Sequence, residues 1–278
     1  MRINHDKCVA CGNCIPICPM GAIAIDPRTN RAMIDAESCV ECFQCFRGMS
    51  QEHLNPTVVR AVRKALAWVR LRFEPEPDVC PTAAFEPDEL VWPRVVRRAF
   101  SDVTATHEST GIHGRGTEEV KTNDVTKRVT YGEAGFVVEF GRPAIGVYFE
   151  DIQRMTTALA RAGAVFEERN PVTQLMSDRQ RGVIQSDILK EKVLSAIVEF
   201  KTALPHAETF IDVIEHVALT LNTVVSLGVS AVCEPDGANP IEDIMSRRGY
   251  PVIRGKTNLG LGRVTNRIAE PLEVEATV

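Results

Sequence analysis

Nine cysteines in 278 residues dominate the chemistry open to this sequence. Cys8, Cys11, Cys14 and Cys18 run C-x2-C-x2-C-x3-C, and Pro19 follows the last. Three thiolates on one tight loop can grip three irons of a cubane while backbone N–H groups point at its sulfurs; the fourth cysteine leads away to a second cluster. Such a run requires a partner run. Cys39, Cys42 and Cys45 repeat the triplet, with Glu37-Ser38 leading in as Asp6-Lys7 does. The fourth cysteine of the repeat is Cys80, with 34 residues between it and Cys45 where three are usual, and again a proline follows, Pro81. The segments Cys18-Pro19-Met20-Gly21-Ala22-Ile23 and Cys80-Pro81-Thr82-Ala83-Ala84-Phe85 are two versions of one element. This assigns one cluster to Cys8, Cys11, Cys14 and Cys80, and the other to Cys39, Cys42, Cys45 and Cys18. Disulfides or zinc sites are the competing uses of eight cysteines, and two triplets with two Cys-Pro endings argue against both. Cys233 lies in an apolar strand-like run and reads as a buried small hydrophobe.

The rest of the chain must position those loops. At 278 residues it has room for about two domains. Hydrophobic residues make up 44% and charged residues 25%, a globular profile. A net charge of −5 disfavours nucleic acid as a partner. No apolar run is long enough to span a bilayer, and Met1 to Lys7 does not read as a secretory signal. These features point to a cytoplasmic protein with reduced thiols.

The domains are read as 1–93, carrying the cysteines, with a helical insertion at 46–79; 94–129, a glycine-rich connecting loop; and 130–278. In the insertion, Asn55-Pro56 is a helix start, an N-cap followed by proline at the first position. Val58, Val62, Leu66, Val69 and Phe73 follow at helical spacing, and Arg60, Arg63, Lys64, Arg70 and Arg72 crowd the other faces. The helix reads either as packed by its apolar stripe or as a docking element for an acidic partner. From about residue 130 strands and helices alternate. Strands are expected at 135–140, 164–167, 193–200 and 223–233, and helices around 152–162 and from Pro205. That order is β-α-β-β-α-β, a split βαβ sandwich, and the fold class is α+β. A short helix over 241–248 and an edge strand at 251–254 complete the expectation.

Thr110 to Glu119 is the most suggestive segment without cysteine. Gly111, Gly114 and Gly116 permit close backbone approach to a ligand, and freed N–H groups can cradle an anion. His113 can pass a proton near neutral pH, Arg115 can clamp a carboxylate, and Glu118 or Glu119 can serve as base. An ordinary linker explains the same residues equally well. A second glycine-bearing loop spans 255–263. Neither is a Walker A loop or a dinucleotide fingerprint.

On these motifs, residues 1–48 and 78–86 resemble a bacterial two-cluster ferredoxin, which implies two [4Fe–4S] clusters, low-potential one-electron transfer and oxygen sensitivity. The segment 110–126 (TGIHGRGTEEVKTNDVT), together with 139–143, 170–173 and 194–200, resembles the iron–sulfur reductases typified by 6-hydroxynicotinate reductase. That resemblance implies ferredoxin-linked reduction of an N-heteroaromatic or otherwise unsaturated carboxylate, with flavin on this chain or on a partner subunit. The chain is shorter than that family leads one to expect. The function expected is an iron–sulfur oxidoreductase or a subunit of one. The alternatives are a dedicated electron-transfer subunit working with a redox partner protein, and a redox or small-molecule sensor.

Overall fold

Ile23-Ala24-Ile25-Asp26 and Arg31-Ala32-Met33-Ile34 are short, mostly apolar segments that pair as an antiparallel hairpin. We label them β2 (Ile23–Asp26) and β3 (Arg31–Ile34), after β1 (Arg2–Ile3). The hairpin turn is set by Asp26, whose carboxylate accepts from Arg28 N–H at 2.9 Å and Thr29 Oγ1 at 3.0 Å. These elements belong to a computed structural model that describes residues 1–49, 53–72, 79–108, 110–114, 123–250, 252 and 259–262.

The chain divides into two units. One comprises Met1–Gly116, Ala144–Phe149 and Ser186–Ser195. Besides the hairpin it holds α1 (Gln44–Arg47), α2 (Pro56–Trp68), β4 (Phe85–Glu86) and α3 (Val95–Ser101). β4 pairs antiparallel with β1, so residues far apart in sequence close the unit. Its core gathers Cys8, Cys14, Ile23, Ala32, Cys80, Ala84 and Phe85.

Helix α2 begins where Asn55-Pro56 predicts: the Asn55 side chain accepts from Thr57 N–H at 2.9 Å and Val58 N–H at 3.3 Å. Its orientation differs from the expected apolar stripe. Val59 is buried at 3% exposure, whereas Val58 stands 60% exposed and Val62 and Val69 are also in solvent. The inward face carries Val59, Arg60 and Arg63, because both arginines reach backbone carbonyls of the first cysteine loop. Phe73 and the stretch to Asp78 lie outside the described residues.

The second unit comprises Thr117–Pro143, Glu150–Gln185 and Ala196–Val278. It contains β5 (Glu133–Phe140), α4 (Phe149–Arg161, starting one residue before the boundary), β6 (Val165–Phe166), β7 (Ala196–Ala203), α5 (Ala207–Ala218), β8 (Val224–Ala231), α6 (Pro240–Arg247) and β9 (Leu259–Gly262). The sheet order is β9-β8-β5-β7-β6, every neighbour antiparallel. Phe136 and Phe200 sit opposite each other in register, their rings stacked at 4.8 Å, and Phe210 of α5 packs on Phe200 at 5.1 Å. The protein is thus α+β. Of the expected edge strand at 251–254 only Val252 is described, without strand structure. The edge is instead taken by Leu259–Gly262, from the glycine-bearing segment, pairing with Val224 to Leu227. Cys233 lies beyond the end of β8 and is exposed, because the strand stops at Ala231; this corrects its reading as a buried residue.

Candidate metal centres

The cysteines separate into the two sets that their spacing suggests. Cys8, Cys11, Cys14 and Cys80 line one cavity of about 300 Å³, walled by Ile3, Ala32 and Phe85 among others. Cys18, Cys39, Cys42 and Cys45 line a second, of about 390 Å³. All of these thiols are free of disulfides. Among the described residues no three His, Cys, Asp or Glu side chains close on a single-ion position; what each thiol set surrounds is an open volume.

The backbone around the two cavities repeats. Ala10 and Glu41, each two residues past the first cysteine of a triplet, share φ 55°. Gly12 and Phe43, two further on, have φ 84° and 60°, and Gly21 and Ala83, three residues past Cys18 and Cys80, have φ 62° and 50°. Left-handed residues are uncommon outside glycine, and alternating backbone hands turn successive N–H groups to one side, the nest that receives an anion. Amide-to-sulfur bonds follow the same repeat: Ala22 N–H donates to Cys18 Sγ at 3.2 Å and Ala84 N–H to Cys80 Sγ at 3.2 Å. Ala32 N–H also donates to Cys8 Sγ at 3.4 Å.

Charge sorts the cysteines identically. Burial pushes the Cys14 thiol up to about 12, and neighbouring Cys11, Cys80 and Cys8 push the same way. Burial pushes Cys45 to about 12 as well, with Cys42, Cys39 and Cys18 adding to it. Cys11, Cys39 and Cys42 are raised too, chiefly by burial. Four crowded, desolvated thiols become thiolates only beside compensating positive charge, which iron supplies. All-sulfur donor sets, a volume among each of them, and amide-to-sulfur bonds therefore fit a [4Fe–4S] cluster at each place. When bound, such a group supplies one-electron redox chemistry.

Five arginines secure these loops, a role the sequence reading missed. Arg60 donates to Asp6 O and to Cys8 O, the latter at 3.2 Å, and Arg63 donates to Val9 O. Around the other cavity, Arg97 donates to Glu37 O at 2.9 Å and Cys39 O at 2.8 Å, Arg94 to Ala36 O at 3.1 Å, and Arg47 to Cys42 O at 2.6 Å. Asp6 and Cys8 occupy the places in the first repeat that Glu37 and Cys39 hold in the second. Their carbonyls are thus capped alike, though the arginines come from α2 in one case and α3 in the other. The sequence signal was faint: arginines among apolar residues on each helix.

The glycine-rich loop is arranged differently from its sequence reading. His113 is exposed, and its Nδ1 lies 3.1 Å from both Thr106 Oγ1 and Thr104 O. Gly111 and Gly114 have φ 71° and 70°. The residue that organises the loop is His107, buried against Phe100, with Nε2 3.0 Å from Gly114 O. Its carbonyl accepts from Gly111 N–H at 2.7 Å, and its own N–H donates to Ile112 O at 3.1 Å. Burial holds His107 below the usual histidine range. Arg115, Gly116, Glu118 and Glu119 lie outside the described residues.

Among the described residues no helix is long and apolar enough to cross a membrane. Comparison with known proteins places the same N-terminal segment. Residues 1–48 match the 4Fe-4S dicluster domain family. The chain is 43% identical over 42 residues to Ferredoxin-1 of Rhodobacter capsulatus, and equally to a ferredoxin-like protein in the vnf region of Azotobacter vinelandii. Each alignment covers 15% of this chain and 62% of the relative, so the chain spans under two thirds of the length of these ferredoxins. No solved structure matches. The N-terminal part of this chain is a ferredoxin module for two [4Fe–4S] clusters.

Proposed function

We propose that the chain is an electron-transfer component of an iron–sulfur oxidoreductase, taking low-potential electrons one at a time and passing them to a redox partner protein. Cys8, Cys11, Cys14 and Cys80 hold one cluster in this reading, and Cys18, Cys39, Cys42 and Cys45 the other. The observation that carries it is the gathering of each cysteine set about its own cavity. Residues 1–93 are the electron-handling part in this reading, and the sheet of the second unit, in the order β8-β5-β7-β6 with β9 added at the edge, is a split βαβ arrangement.

The outer face of α2 suits docking. Trp68 is 89% exposed, Val58, Val62 and Val69 are also in solvent, and Lys64, Arg70 and Arg72 are exposed on the same segment. An apolar patch with a basic rim favours an acidic partner. The test is anaerobic purification followed by iron analysis and reduction with a low-potential donor. About eight irons per chain, a bleachable cluster spectrum and onward electron transfer that slows as salt rises are expected. A chain with full iron whose reduced clusters pass no electron to any acidic one-electron acceptor overturns the reading.

A second reading, reduction of a small carboxylate by this chain, draws on an open cleft in the second unit, lined by Val129, Phe136, Phe166 and Phe200 among others. Its lining carries Arg128 and Lys201 together with Glu167 and Glu199, Arg128 lying 3.5 Å from Glu167 and Lys201 3.0 Å from Glu133. Calorimetric titration with an N-heteroaromatic carboxylate decides it: binding that Lys201→Gln weakens supports a substrate site, and no heat at millimolar ligand rejects one.

A further inference from the structure

The arginines that cap the two cysteine loops differ in what balances them. Around the Cys39 loop every one has a carboxylate partner. Arg97, 3% exposed, ion-pairs with Glu191; Arg94 pairs with Glu41 at 2.7 Å; Arg47 pairs with Asp102. Glu41 also takes the Met1 amine at 3.0 Å, which in turn reaches Asp88 at 2.9 Å. Positive and negative charge there largely cancel. Arg60 and Arg63 on the Cys8 loop form no ion pair with any described carboxylate, and Arg60 Nε is buried without a hydrogen-bond partner. Glu86 is shared by Lys7 at 3.2 Å and Arg2 at 3.3 Å and pairs with neither Arg60 nor Arg63.

Adding an electron makes a cluster more negative, so uncompensated positive charge nearby favours the reduced form, and more so in a partly buried site. We propose that α2 sets the redox order of the two clusters: Arg60 and Arg63 place the cluster on Cys8, Cys11, Cys14 and Cys80 at a higher reduction potential than the cluster on Cys18, Cys39, Cys42 and Cys45. This rests on the ligand assignment above. The event is transfer of one electron from an external low-potential carrier; no bond forms or breaks. At equilibrium the electron then rests on the cluster beside α2, the helix whose other face is exposed.

The test is a potentiometric titration of the anaerobically purified full chain followed by electron paramagnetic resonance, with paramagnetically shifted cysteine β-proton signals assigned residue by residue. In the unaltered chain the signals of Cys8, Cys11, Cys14 and Cys80 change first. In the double variant Arg60→Gln, Arg63→Gln, the equilibrium constant for reducing that cluster falls about tenfold, about 59 mV for a one-electron couple, while the other cluster moves much less. Lys64→Gln removes the same kind of charge from the exposed side of α2 and leaves the order in place. Equal shifts at both clusters, or an equal effect from Lys64→Gln, overturn the proposal. If the double variant sheds iron, the order seen in the unaltered chain decides, and a reversed order overturns it. Iron far below about eight per unaltered chain defeats the ligand assignment itself, a failure distinct from full iron with the wrong order.

Discussion

The amide of Ala84 donates to the sulfur of Cys80 at 3.2 Å, the same contact at the same distance that Ala22 makes with Cys18. Cys80 is therefore the structural counterpart of Cys18 despite the long insertion before it. Replacing Cys80 with serine is expected to remove one cluster and leave the other, so that iron falls from about eight to about four per chain. Iron retained near eight would remove Cys80 from the ligand set.

Cys233 gives the complementary result. It is exposed, while the other cysteines are buried or half-buried. In the iron-loaded protein a thiol-alkylating reagent is expected to label Cys233 alone, as read by peptide mass spectrometry, and Cys233→Ser leaves iron content unchanged.

Asp102 is buried yet accepts from Thr104 N–H at 3.0 Å, Thr104 Oγ1 at 2.8 Å and Arg98 Nε at 3.2 Å, besides Arg47. Burial alone would raise its carboxyl; the hydrogen bonds from Thr104 and Arg47 outweigh it and hold the group below the usual range. Because the folded value is depressed, this stabilisation is present above the ordinary aspartate value of 3.8 and is lost as pH falls through the folded one. Asp102→Asn is expected to cost on the order of 3 kcal/mol at neutral pH, measured by denaturant unfolding, with the gap to the unaltered chain narrowing in strong acid.

His107 titrates in the opposite sense to a salt-bridged histidine. Its folded value lies below the ordinary 6.5, so the unfolded state takes up the proton first. Its contribution is complete above about pH 6.5 and is lost as pH falls below that. Amide exchange at Gly111 and Ile112, corrected for intrinsic rate, is expected to quicken as pH falls below about 6.5. His107→Gln should flatten that dependence.

Helix α2 depends on its cap. Asn55→Ala removes the acceptor for two amides and is expected to cost about 1 kcal/mol of local stability, seen as faster exchange through Val59 and Arg60.

The parts of this molecule legible in its sequence are those governed by neighbours in the chain. Cysteine spacing, the two Cys-Pro endings and the Asn55-Pro56 cap depend on a few adjacent residues, and they fall where expected. Asn239-Pro240 caps α6 in the same way. The rotation of α2 was not legible. Helical periodicity identifies a stripe, but the inward face was chosen by two arginines bonding to carbonyls more than 50 residues away, at Asp6, Cys8 and Val9. The histidines show the same limit. His113 sits among glycines and invites attention, whereas His107, which ties the loop together, is identified only by its burial and its bond to Gly114 O. Cys233 was misplaced because an apolar run does not announce where its strand stops.

The long spacer before Cys80 has a consequence for biosynthesis. On a chain emerging from the ribosome, all four thiols of the cavity lined by Cys18, Cys39, Cys42 and Cys45 are present once residue 45 is out. The other cavity lacks a wall until Cys80 follows. By then the arginines of α2 have already been made, so the clasp is available before the pocket it steadies can be completed, and the two thiol sets are completed at different points of synthesis.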